Sequence, residues 1–135
     1  MGITAQILLG TATCAICAVL QLIIVARGLR VIDNAKPAIR LSLTIYAVLL
    51  ILVAHLVQIA IWTALLAPFG GFETLEAALY FAIASYTTLG YGDVLIAPEL
   101  RVFGATAAVA GLLSFGISTA FLFGALSELI RNRGS

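Results

Sequence analysis

Charge is what this sequence has least of. Asp, Glu, Lys and Arg together make up only 10% of its 135 residues, against about 25% in an ordinary water-soluble domain. So few ionised groups cannot cover the surface of a soluble globule. The seven Lys and Arg residues form no basic cluster of the kind a phosphate backbone requires, so nucleic acid is excluded as a partner. No apolar run carries the repeated arginines of a voltage sensor. Cysteine is nearly absent, and Cys14 and Cys17 lie inside an apolar run. There, a CxxC reads as a pair of small packing residues rather than a redox motif.

What fills the chain instead is apolar. Hydrophobic residues make up 63% of it, with a mean hydropathy of +1.19, and apolar runs of about 20 residues point to a bilayer. The first run, roughly Ile3 to Ala26, closes on Arg27 and Arg30. It lacks a basic residue before it and a small-x-small cleavage site after it, so it reads as a retained helix, not a signal peptide. Gly28 to Arg40, with Asn34 and Pro37 as breakers, reads as a short polar connector. The second run spans 41–67 and ends near an interfacial-looking Trp62; the third spans 101–127. Residues 1–40 are therefore an extra N-terminal helix with its connector, 41–127 a second module, and 128–135 a short tail.

Basic residues set the expected orientation. Arg27, Arg30, Lys36 and Arg40 flank the first connector, and Arg131 and Arg133 follow the third run. The positive-inside rule puts both segments in the cytoplasm and the N-terminus outside, in a multi-pass plasma (inner) membrane protein. The segment between the second and third runs then faces outward with Glu73, Glu76, Asp93 and Glu99, a mouth that concentrates cations. Within it, 73–86 has helical periodicity over a stretch too short to span, which fits a re-entrant helix. Its partially negative C-terminal end would be aimed at the middle of the membrane. A non-helical loop at that depth is tolerated only where it is buried in protein or lines water.

Immediately after it comes Ser85-Tyr86-Thr87-Thr88-Leu89-Gly90-Tyr91-Gly92-Asp93. The stretch 88–92 closely resembles the selectivity-filter signature of the potassium channel family, with Leu89 where Val is common. The resemblance implies that backbone carbonyls of Thr88, Leu89, Gly90 and Tyr91, with the Thr88 hydroxyl, replace the hydration shell of K+, and that Gly92 completes the filter. Gly90 and Gly92 allow backbone angles that a residue with a Cβ reaches only with strain. The run Val109 to Ala120 resembles the inner helix of the simplest bacterial potassium channels. By that likeness Gly111 is a candidate gating hinge, though packing explains it equally well, and Phe115, Thr119, Ala120, Phe123 and Ser127 line the pore or inner mouth. Gly116, Ala120 and Gly124 form a small-xxx-small stripe that lets helices cross closely.

Departures from the family pattern are informative. Many relatives carry Glu where this chain has Ala84, and Trp where it has Tyr80. Asp93 therefore needs another partner, and the Tyr80 hydroxyl is the candidate, with Thr87 beside it in the filter support. Leu95 stands where relatives blocked by external tetraethylammonium carry an aromatic ring. His55 lies mid-span and reads as a neutral, hydrogen-bonded interface residue.

The expected fold is an all-α membrane bundle of three spans plus a re-entrant pore helix, assembled as a fourfold homotetramer, because one chain supplies one filter strand. The expected function is passive K+ conduction, with no covalent chemistry, no enzyme activity and no cofactor beyond the potassium ions in the filter. The rival readings are a non-conducting or hetero-oligomeric regulatory subunit, and a less selective cation channel.

Overall fold

A computed structural model describes residues 1–131. The end of the expected tail, 132–135 with Arg133, lies outside the described residues. Among the described residues, four α-helices make up the fold: α1 (Ile3–Asp33), α2 (Pro37–Leu66), α3 (Leu75–Tyr86) and α4 (Arg101–Arg131). A short 3-10 turn, Pro98–Leu100, leads into α4. Three of the helices are long and apolar enough to cross a membrane. The 12 residues of α3 reach only about 18 Å, short of a hydrocarbon core of about 30 Å.

The boundaries differ from the sequence expectation in several places: α2 begins four residues earlier, at Pro37, and α4 runs on to Arg131. The first helix does not stop at Ala26 but runs to Asp33, so the polar connector shrinks to the turn at 34–36. Isolated Arg and Gly residues do not end a helix, whereas Asn34 does: its amide donates to the Arg30 carbonyl at 2.8 Å. Lys36 and Pro37 then start α2, with proline at the first helical position where its missing N–H costs nothing. The start of α3 also shifts. Thr74 is its N-cap, accepting from the Ala77 N–H at 3.1 Å, so Glu73 precedes the helix and Glu76 alone is the acidic group in its first turn.

Packing follows the rules of a lipid solvent, where close backbone approach replaces the hydrophobic effect as the force between helices. The most extensive interface in the chain joins α1 to α4, and α1 also lies along α2, while α3 is held between α2 and α4. Gly10 lets α1 press onto α4, since a Cβ there would overlap the Thr106 side chain. Cys14 and Cys17 are buried free thiols in this interface, and Cys14 Sγ donates to the Thr106 carbonyl at 3.2 Å. Trp62 does not face outward as an anchor near a helix end would. It is fully buried in the core formed with Cys17, Leu66, Tyr86 and Phe103, its ring 5.3 Å from that of Phe103. Packing by α1 and α4 covers the indole and removes it from any aromatic belt.

Candidate functional site

The polar end of α3 and the loop after it carry the site. The Thr87 N–H bonds back to the Ile83 carbonyl, the Thr88 N–H to Ser85 and the Gly90 N–H to Ala84 at 3.2 Å. The loop is therefore tethered to the last turn of the helix as it leaves. Beyond this point the backbone alternates. Thr88 (φ 60°), Gly90 (φ 55°) and Gly92 (φ 78°) are left-handed, while Leu89 and Tyr91 between them are not. Two of the three are glycines, which adopt such angles freely. Thr88 has a Cβ and bears a cost of roughly 1–2 kcal/mol. Strain of this kind persists where surroundings over-determine it, and it concentrates at functional segments. In an ordinary strand successive carbonyls point to opposite sides. Alternating handedness at every second residue is the backbone requirement for turning successive carbonyls to the same side.

Within one chain this segment is largely uncovered. Leu89 is 51% exposed and Tyr91 72%, and no described side chain of the same chain meets a Cβ built at Gly90 or Gly92. At its far end the Tyr80 hydroxyl donates to Asp93 Oδ2 at 2.8 Å, the partner expected for Asp93 where Ala84 offers none. That bond, above all, pushes the Tyr80 pKa above the ordinary tyrosine value. Ala84 itself is buried, and the Thr87 hydroxyl turns back to the Ile83 carbonyl at 2.8 Å.

Behind the loop lies a buried polar network that joins all four helices. Tyr86, the last residue of α3, is fully buried. Its hydroxyl lies 2.9 Å from His55 Nδ1 and donates to Gln58 Oε1 at 2.9 Å. Ser114 Oγ donates to the same Gln58 oxygen at 2.8 Å. The Gln58 amide donates to Gln21 Oε1 at 2.8 Å, and the Gln21 amide donates to Ser118 Oγ at 2.8 Å. His55 Nε2 closes the circuit 3.1 Å from Ser118. With the Tyr86 hydroxyl proton on Gln58 and the Ser118 hydroxyl proton on the Ser114 carbonyl, both hydroxyl oxygens face His55 as acceptors, and a neutral ring donates to one of them. Phe115 stacks on His55 with centroids 4.4 Å apart and meets Tyr86 edge-on at 5.7 Å.

This arrangement places each residue singled out in the third run. Phe115, expected in the pore lining, is 40% exposed and has one face engaged by His55 and Tyr86. Gly111 is buried where α4 crosses the end of α3, and a Cβ there would collide with the Tyr86 carbonyl oxygen. Close approach is thus a sufficient reason for glycine at 111. Thr119, Ala120, Phe123 and Ser127 are all exposed on the single chain, Phe123 at 75%. The small-residue stripe is open as well, with no described atom of the same chain near a Cβ at Gly116 or Gly124.

Sequence reasoning found His55 but missed the network around it, Gln21, Gln58, Ser114 and Ser118. The signal was present: His55 and Gln58 are three apart and Ser114 and Ser118 four apart, so each pair shares one helix face inside an apolar span. Polar groups in such spans face the bundle interior and pair with one another.

A sequence-family model described as Ion channel matches residues 45–128. The match takes in most of α2, all of α3, the 88–92 loop and nearly all of α4, and leaves α1 outside. No curated protein and no solved structure matches the chain. With well over half of its length matched, this membrane chain belongs to the ion channel family.

Proposed function

We propose that the chain is the subunit of a homotetrameric potassium-selective channel. In this reading residues 88–92 of four copies form the filter, α3 is the re-entrant pore helix and α4 the inner helix. The observation that carries the proposal is the left-handed backbone at Thr88, Gly90 and Gly92, in a TLGYG stretch that directly follows the short helix. Rings of carbonyl oxygens from such a backbone replace the water around a dehydrated K+, and four chains are needed to close each ring. The uncovered Leu89 and Tyr91, and the open stripe at Gly116 and Gly124, support burial of these surfaces against neighbouring copies. The basic flanks support an N-terminus outside and a cytoplasmic C-terminus. The Phe123 side chains then form an apolar ring at the inner mouth.

Reconstitution tests it. Purified protein in liposomes should pass K+ at a rate far above Na+, and cross-linking should give a tetramer. Equal fluxes would make it a less selective cation channel. A tetramer that passes neither ion would make it a regulatory subunit.

A further inference from the structure

Gln21 belongs to α1, the one helix outside the matched pore region, yet it sits inside the network that holds Tyr86. It is fully buried, as is Gln58. We propose that α1 is a built-in brace for the filter and that Gln21 is its positioning residue, acting through Gln58 on Tyr86, two residues before Thr88. The proposal rests on the filter reading above.

The two ends of one amide decide the geometry. Gln58 must present its oxygen to Tyr86 and Ser114, both of which donate to it at 2.9 and 2.8 Å. A primary amide can rotate by half a turn and present its NH2 instead, which would take away the acceptor that both hydroxyls share. Gln21 Oε1 prevents this by accepting from the Gln58 nitrogen at 2.8 Å. Gln21 is held in turn, because its own nitrogen donates to Ser118, whose proton is committed to the Ser114 carbonyl at 2.7 Å. Each member thus orients the next, from α1 through α2 to the end of α3. A core surrounded by lipid offers no ready solvent to replace a lost partner, so a broken link leaves an unsatisfied group.

Adhesion of α1 does not need this glutamine. Gly10, Cys14 and Cys17 already give the helix a close apolar seat on α4 and α2. A polar side chain in the middle of a membrane span is costly where lipid-like packing would serve. What Gln21 adds to the packing is control over which way Gln58 faces. With Gly111 of α4 against the Tyr86 carbonyl and Gln58 on its hydroxyl, the residue that launches the filter is fixed at both ends.

The test compares the intact tetramer with variants in two readouts: the K+ to Na+ flux ratio in liposomes, and the extra thermal stability of the tetramer in K+ over Na+. Absence of both signals in the unmodified protein would refute the filter reading itself. Given those signals, Gln21→Leu should lower the flux ratio about tenfold, the scale set by two lost buried hydrogen bonds, and most of the K+-specific stabilisation should vanish. Gln21→Glu, whose neutral carboxyl keeps an acceptor for Gln58 and a donor for Ser118, should restore both. Cys14→Ala, which removes an α1–α4 contact outside the network, should lower stability equally in both ions and leave the flux ratio alone. Combining Gln21→Leu with Tyr86→Phe should add little to either single change. An unchanged flux ratio in Gln21→Leu, or a loss matched by Cys14→Ala, would overturn the proposal, as would full additivity with Tyr86→Phe. If the leucine variant does not assemble, Gln21→Asn takes its place, since the shorter amide stays polar but cannot reach both partners. It should show the same two losses, and an unchanged flux ratio there would overturn the proposal equally.

Discussion

Replacing Gly111 with alanine separates its two readings by sign. In a hinge that only needs flexibility, alanine stiffens α4 and gains helix propensity of about 1 kcal/mol over glycine. The structure sets a larger opposing effect. The new methyl would enter the space of the Tyr86 carbonyl oxygen, and a backbone carbonyl cannot rotate aside as a side chain does. Relief requires moving α4 away from the end of α3, an overpacking cost of about 1–3 kcal/mol. With a rigid partner the upper part of that range applies, and Gly111→Ala should lose about 1–2 kcal/mol net. The displaced Tyr86 carries Thr88 with it, so the K+ to Na+ flux ratio should fall in the same variant. Unfolding of the purified protein in mixed micelles of graded denaturing detergent reads the stability. A variant more stable than the unmodified protein, with its flux ratio intact, would refute the packing argument and return Gly111 to the role of hinge.

Tyr80→Phe removes the hydrogen bond to Asp93 and should change the rate at which current declines during sustained K+ conduction; an identical decline in patch recordings would remove that role. The same bond raises the Tyr80 pKa, so its stabilising effect is complete below the ordinary tyrosine value of about 10 and is lost only as pH rises through the higher folded value. Inactivation should accordingly be insensitive to external pH between about 7 and about 10 and change beyond it, which a pH series on wild type and Tyr80→Phe would read. Phe123→Ala opens an apolar constriction that closes by dewetting and should raise resting open probability in single-channel records. External tetraethylammonium should block weakly, because Leu95 gives the ammonium no ring face; strong block would contradict the placement of Leu95 at the outer mouth.

Most of the architecture was legible because membrane spans advertise themselves. Long apolar runs, a short amphipathic helix too brief to cross, and a glycine-alternating loop are all local signals. Their limits are equally physical. Asn34, not the arginines at 27 and 30, ends α1, since only a residue able to cap the last carbonyls stops a helix within an otherwise continuous pattern. Trp62 carries the composition of an interfacial anchor but is buried, because what covers it comes from α1 and α4, far away in sequence. The Tyr80–Asp93 bond was readable from two neighbouring departures in the motif. The network was not, because Gln21 and Ser118 lie 97 positions apart and no local pattern ties them together.

That separation has a consequence for how the chain is made. The first helix leaves the ribosome long before α4, yet its Gln6 and Gln21 side chains find their partners there, at the Phe103 N–H and the Ser118 hydroxyl. Until α4 is synthesised, Gln21 can pair only through its Oε1, with Gln58 of α2, and the Gln6 Oε1 lacks its Phe103 donor. The first helix can therefore begin to pair with α2 through Gln21 and Gln58, but its seat is complete only once α4 has been inserted.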